Sequence, residues 1–129
     1  MNSSLKQYIE EKILPRYDFF DAAHQRDHVL KVIAESAELA KHYDVDADMV
    51  YVIAAYHDLG LEVDRETHHI ESARIIRDDL TLRKWFSPGQ IEIIAEAAED
   101  HRASNEHEPR SIYGKIIAEA DRDIDGPTI

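Results

Sequence analysis

A chain of 129 residues and 14.9 kDa makes one ordinary domain; with 43% hydrophobic residues it is too apolar for a disordered chain, and it has no apolar run long enough to span a bilayer. Against 27 Asp+Glu stand 15 Lys+Arg, and the resulting net charge of −12 repels a nucleic-acid backbone, so neither a duplex nor a membrane is an expected partner. The absence of cysteine excludes disulfides and thiolate metal sites, and any metal must sit on histidine and carboxylate. The opening MNSSLKQYIEEK lacks the apolar stretch of a secretory signal and reads as the start of a helix, which makes a cytoplasmic setting the expectation.

Only 4 glycines and 4 prolines punctuate the chain, and apolar residues recur at helical spacing, so an all-helical domain is predicted. A first helix runs from about Ser4 to Leu14 and ends at Pro15. A second begins near His24, carries Val29, Val32, Ile33, Ala37, Leu39 and Ala40 inward, and ends near Tyr43. Asp46 caps a third, in which Val50, Ile53, Ala54 and His57 share a face; Gly60 closes it as a C′ residue. A fourth spans roughly Thr67 to Asp79, followed by a short amphipathic piece from Thr81 to Phe86. Ser87-Pro88-Gly89-Gln90 is a helix start with a capping box, and that helix should reach His101. Arg102 to Arg110 reads as a loop before a last helix from about Ser111 to Asp121. The chain stops soon afterwards, and the natural product is expected to continue with further helix.

The 8 histidines sort by face. His57 extends the stripe of Val50 and Ile53, and Asp58 at the helix end can turn toward the same point. His101 extends Ile91, Ile94 and Ala98, Asp121 follows Ile117 by one turn, and His28 precedes Val32 and Leu39. His69 stands before Ala73, Ile76 and Leu80, whereas His68 falls nearer the boundary with Ser72 and Asp79. His42 and His107 read as surface residues, and His24, one turn before His28, reaches the edge of the site. Several helices thus aim imidazoles and carboxylates into an aliphatic interior. Burying unpaired carboxylates costs several kcal/mol apiece, of order ~3 or more, and a divalent cation is the economical compensation.

The order of these residues is recognisable. His28 before an aliphatic run, the pair His57-Asp58 followed by Leu59-Gly60, and the distant Asp121 in Glu119-Ala120-Asp121-Arg122 resemble the H…HD…D signature of HD-domain metal-dependent phosphohydrolases. The resemblance covers nearly the whole chain. It implies a single domain over residues 1–129, an all-α bundle of about five to six helices without a sheet, in which His28, His57, Asp58 and Asp121 hold one divalent ion. His69 and His101 resemble the additional histidines of some members, which hold a second ion bridged by Asp58.

On that reading a small phosphate ester, a nucleotide among the candidates, is attacked by water activated at the metal, with Asp58 orienting or deprotonating it. Histidine and carboxylate ligands suit Mn, Fe, Ni or Zn better than Mg. The substrate's charge calls for local cations, and Arg102, Lys115, Arg122 and the edge residue His24 are the candidates. Glu62 and Asp64 are candidate accessory carboxylates, and Tyr8, Tyr17, Phe19, Phe20, Trp85 and Phe86 are read as core. Two rivals remain: an HD-type di-iron oxygenase of a small organic substrate with ligand order H…HD…H…H…D, and a non-catalytic module that binds metal or nucleotide. Oligomeric state has no signature here.

Overall fold

The computed structural model describes residues 2–20, 25–101 and 108–125. Among them the chain forms six α-helices joined by short 3-10 helices and no strand, the expected all-α bundle. Helix α1 (Ser3–Tyr8) starts on Asn2, whose side chain accepts from the backbone N–H of Ser4 and Leu5, and runs on as a π turn over Ile9–Ile13. Pro15 does not end the helical path as expected. It sits in the first turn of a 3-10 helix, Leu14–Phe19, where a missing N–H leaves no bond unmade.

Helix α2 (Gln25–Ala40) buries Val29 and Val32, and α3 (Ala47–Tyr56) is capped by Asp46 as predicted, its carboxylate accepting from the N–H of Asp48 and Met49. Every residue from Met49 to Gly60 is buried. A helix apolar on all sides belongs at the centre of a bundle, and α3 packs against α2, α5 and α6 and against the π turn. Helix α4 (His68–Asp78) buries Ser72, Ala73 and Ile76 and leads into a 3-10 helix, Leu80–Lys84. Helix α5 (Pro88–Asp100) begins with the predicted capping box, Ser87 and Gln90 each bonding the other's backbone N–H. Helix α6 (Ile112–Asp125) continues one turn beyond the expected end at Asp121.

Gly60 is not a helix cap. It lies inside a further 3-10 helix, Leu59–Glu62, and its task is to let α4 come close: a Cβ there would stand 1.9 Å from the carbonyl oxygen of His68 and 2.7 Å from the amide nitrogen of Ser72. Ser72 fixes the approach. Its hydroxyl accepts from the Gly60 N–H at 2.8 Å and donates to the His57 carbonyl at 2.8 Å, which makes it a polar residue that belongs in the interior. Nearby, Asp79 accepts from the hydroxyls of Tyr8 at 2.8 Å and Tyr56 at 2.5 Å, tying α1, α3 and the end of α4 together beside His57. Tyr17 and Phe86 are core as expected and Tyr8, Phe20 and Trp85 pack against it partly buried, whereas Phe19 is 87% exposed. None of the helices in the described residues is long and apolar enough to cross a membrane.

Candidate metal centre

The last carbonyls of a helix have no partner within it. At the C-terminus of α3 the Ala54 carbonyl accepts from Nδ1 of His57 at 2.6 Å, and the Ala55 carbonyl accepts from the Tyr17 hydroxyl at 2.6 Å. At the C-terminus of α5, Nδ1 of His101 donates to the Ala98 carbonyl in the same way. At the first residue of α4, Nδ1 of His68 donates to the Arg65 carbonyl at 3.0 Å. Each of these three rings therefore has its Nδ1 proton committed to backbone three residues earlier, and in the neutral ring this leaves the Nε2 lone pair facing inward. The negative ends of two helix dipoles point at the same region, which favours a cation there.

The inward atoms converge in two groups, His28, His57, Asp58 and Asp121, and Asp58, His68 and His101, each with its candidate ligand atoms within 4.8 Å of one another. Nε2 of His28 lies 3.0 Å from Oδ1 of Asp121 and 3.5 Å from Oδ2 of Asp58. Nε2 of His57 lies 3.4 Å from the same two oxygens. The other oxygen of Asp58 faces Nε2 of His68 at 3.3 Å and of His101 at 3.7 Å. Metal–ligand bonds of ~2.1 Å place neighbouring ligand atoms about 3.0–3.4 Å apart at right or tetrahedral angles, so these separations fit ions seated between the side chains. A second observation agrees. Nε2 of His57 is buried without any hydrogen-bond partner, an orphaned atom that a cation would satisfy.

The charges are mutually dependent. Burial works against a charged His57, yet the carboxylates of Asp58 and Asp121 outweigh it and push its pKa up to about 9. Burial, with the charge of His57 next to it, pushes His101 down to about 4. Burial likewise opposes ionisation of Asp58 and Asp121, but the surrounding imidazoles hold both well below the usual carboxylate range. In the protein alone, a protonated His57 thus stands where a cation would serve two carboxylates.

His68, not the expected His69, joins the second group. The inward face of α4 is centred on Ser72, Ala73 and Ile76, and Leu80, taken as part of the stripe, lies beyond the helix and is 65% exposed. His68 is one turn before Ser72, and His69 packs its ring edge against His68. Helix position one residue apart separates them by about 100°. The signal that would have found His68 was Ser72, a polar residue that has a partner to meet in the interior.

The proposed cations are also redistributed. His24 and Arg102 lie outside the described residues. Lys115 and Arg122 share the face of α6 that lines a separate pocket of about 410 Å³ with Tyr43 and Glu119, because the residue after Asp121 is turned away from it. Beside the cluster instead is a pocket of about 540 Å³ to which Arg16 and Arg65 contribute, with Gln25 on its wall. The Gln25 side-chain amide donates to Oδ2 of Asp58 at 2.8 Å. Gln25 was findable, being one turn before His28 on the same helix. Arg16 was not, since its partner Glu62 is 46 residues away.

The chain belongs to the HD-domain family, whose model matches residues 26–123. It is similar in structure to a crystallised protein from an uncultured Thermotogales bacterium described as a predicted HD superfamily hydrolase, with 25% identity and a TM-score of 0.69, over 95% of this chain and 73% of that one. No curated protein matches the chain.

Proposed function

We propose that the protein is a divalent-metal-dependent hydrolase of a small phosphate ester, working in the cytoplasm. The observation that carries this reading is the buried, unpartnered Nε2 of His57 aimed between two carboxylates, with its other nitrogen locked to backbone. His28, His57, Asp58 and Asp121 would hold one ion and Asp58, His68 and His101 a second, and the donor set suits Mn, Fe, Ni or Zn. Ions held by such ligands lower the pKa of water to give hydroxide near neutral pH and polarise a phosphoryl oxygen.

The chain's own groups do the positioning. Asp58 spans both halves of the cluster, one oxygen toward each, and the Gln25 amide keeps its plane from turning. Both of its oxygens are engaged, so orienting is its role and taking a proton is not. Arg16 and Arg65 bring two positive charges to the adjoining pocket of a protein whose net charge is −12, and among the described residues lining it the one carboxylate, Glu62, is already paired to Arg16. That local excess of positive charge suits an anionic ester and favours hydrolysis over oxidation of a neutral compound.

Elemental analysis of protein purified under nitrogen without chelator, followed by a phosphate-release screen over small phosphoesters, tests this reading. One or two ions per chain and release of phosphate are expected, with Asp58→Ala lacking both. Two irons together with O2 consumption and no phosphate release would replace it with the di-iron oxygenase, and a nucleotide that binds but stays intact would replace it with a binding module.

A further inference from the structure

The last turn of α5 runs against the helix dipole. It ends in Glu99 and Asp100, with Glu96 a turn earlier and no basic residue, although carboxylates are unfavourable at the negative end of a helix. Helix ends also fray. Yet His101, which belongs to the second group of candidate ligands, is the C-cap of this helix. Its Nδ1 donates to the Ala98 carbonyl, so the ring goes wherever the last turn goes. The turn after α3 is tied by Ser72, and the end of α5 is tied by Arg110.

Arg110 stands just before α6 and grips Asp100 from there. Its backbone N–H and Nε donate to Oδ2 of Asp100 at 2.8 and 3.0 Å, and its Nη2 donates to Oδ1 at 2.9 Å and to Glu99 at 3.1 Å. Its Nη1 lies 3.7 Å from a carboxylate oxygen of Glu96. Asp100 is 2% exposed, and a carboxylate so buried is tolerated when charge and hydrogen bonds meet both of its oxygens. Two planar forks that face each other fix direction as well as distance. Gly114 brings α6 against the same turn, since a Cβ on it would stand 3.5 Å from Cβ of Asp100 and 3.6 Å from Cα of Ala97. The end of α5 is thus held by groups that are not themselves candidate ligands.

On the footing that the cluster is a metal centre, we propose that Arg110 is the positioning residue of its second seat: through Asp100 it holds His101 at the spacing from Asp58 and His68 at which an ion is bound. The first seat, His28, His57, Asp58 and Asp121, draws no ligand from α5 and is independent of this tie.

Cobalt titration of the metal-free protein, followed by calorimetry and visible absorption, tests this. The wild type should take up two ions in two steps, and His68→Ala identifies the second seat by losing its step. Arg110→Ala should weaken that step about tenfold, as loss of an outer partner of a metal ligand does, and alter its absorption bands while the first step stays as it was. Arg110→Lys keeps a charge without the fork and should weaken the step less; it carries the comparison if Arg110→Ala does not fold. Arg77→Ala is the control, because it breaks the 2.7 Å ion pair to Glu92 near the other end of α5 and should leave both steps unchanged. A general loss of stability weakens both steps together, since folding is linked to each ion alike. Equal weakening of the two steps, or a second step unaltered by the Arg110 changes, would overturn the proposal and leave the metal centre standing. Uptake of a single ion by the wild type would remove the second seat and the proposal with it, and no uptake would remove the metal reading as well. Phosphate release is read separately and bears on the hydrolase alone.

Discussion

His57 and His101 form the floor of the cluster, almost wholly buried, with Nδ1 bonded to backbone and the supporting carbonyls belonging to helix ends. The mouth is made differently, from Arg16, Phe19 and Glu62 on two 3-10 helices and Arg65 in the turn before α4, side chains that reach into solvent and are held by one ion pair. At the floor, the backbone of α3 and α5 decides where an atom sits, so a change there disturbs fold and chemistry together. At the mouth, position depends on side chains, and a substitution there is expected to leave the bundle intact.

The largest expected effect is at the floor. Asp58→Ala should empty both halves of the cluster at once, because each of its oxygens serves one of them, and bring activity to background while the helical circular dichroism is kept. Retention of one ion in that variant would mean that the two halves are independent. Gly60→Ala comes next, with a loss of at least ~3 kcal/mol in urea unfolding, since the new Cβ would meet backbone rather than a movable side chain. A loss below about 1 kcal/mol would show that α4 can withdraw from the turn.

A smaller effect separates neighbours. His68→Ala should remove the second ion and leave the first, whereas His69→Ala should leave metal content unchanged; equal losses in the two would restore the expectation drawn from periodicity. The pH profile sharpens the contrast further. His57, raised from 6.5 to about 9, contributes stability to the metal-free protein that is complete below pH 6.5 and lost as pH rises through 9. Asp58 and Asp121, both lowered, contribute above their usual range near 4 and lose that contribution as pH falls. Metal-free protein should therefore weaken between pH 6.5 and 9, while metal-loaded protein gains over the same interval as its ligands shed protons. Urea melts with and without chelator at three pH values read this directly. The least effect is expected away from both regions: Lys115→Ala with Arg122→Ala should change KM less than about twofold, their side chains lying on another pocket.

The bundle was legible because its signals are local. Asp46 and the Ser87 capping box fall where side-chain chemistry placed them, and His57, His101 and Asp121 follow from stripes that lie within single helices. The phase of α4 was harder to read, since a short helix entered from a turn offers few apolar residues, and one of those used, Leu80, lies outside it. The cations at the mouth were illegible for another reason. Arg16 meets Glu62 from 46 residues away, and no spacing rule spans that distance.

The hydroxyl of Ser72 has a consequence for which ions the centre tolerates. By joining Gly60 to the His57 carbonyl, it fastens the start of α4, and with it His68, to the turn that carries Asp58. The two halves of the cluster are thereby set at one gauge, like the jaws of a caliper with the screw tightened. A pair of ions that matches that gap will be held without rearrangement; a pair that needs a wider one must strain a helix start to enter. On the two-ion reading, selection among metals would turn on spacing between seats as much as on ligand chemistry at each.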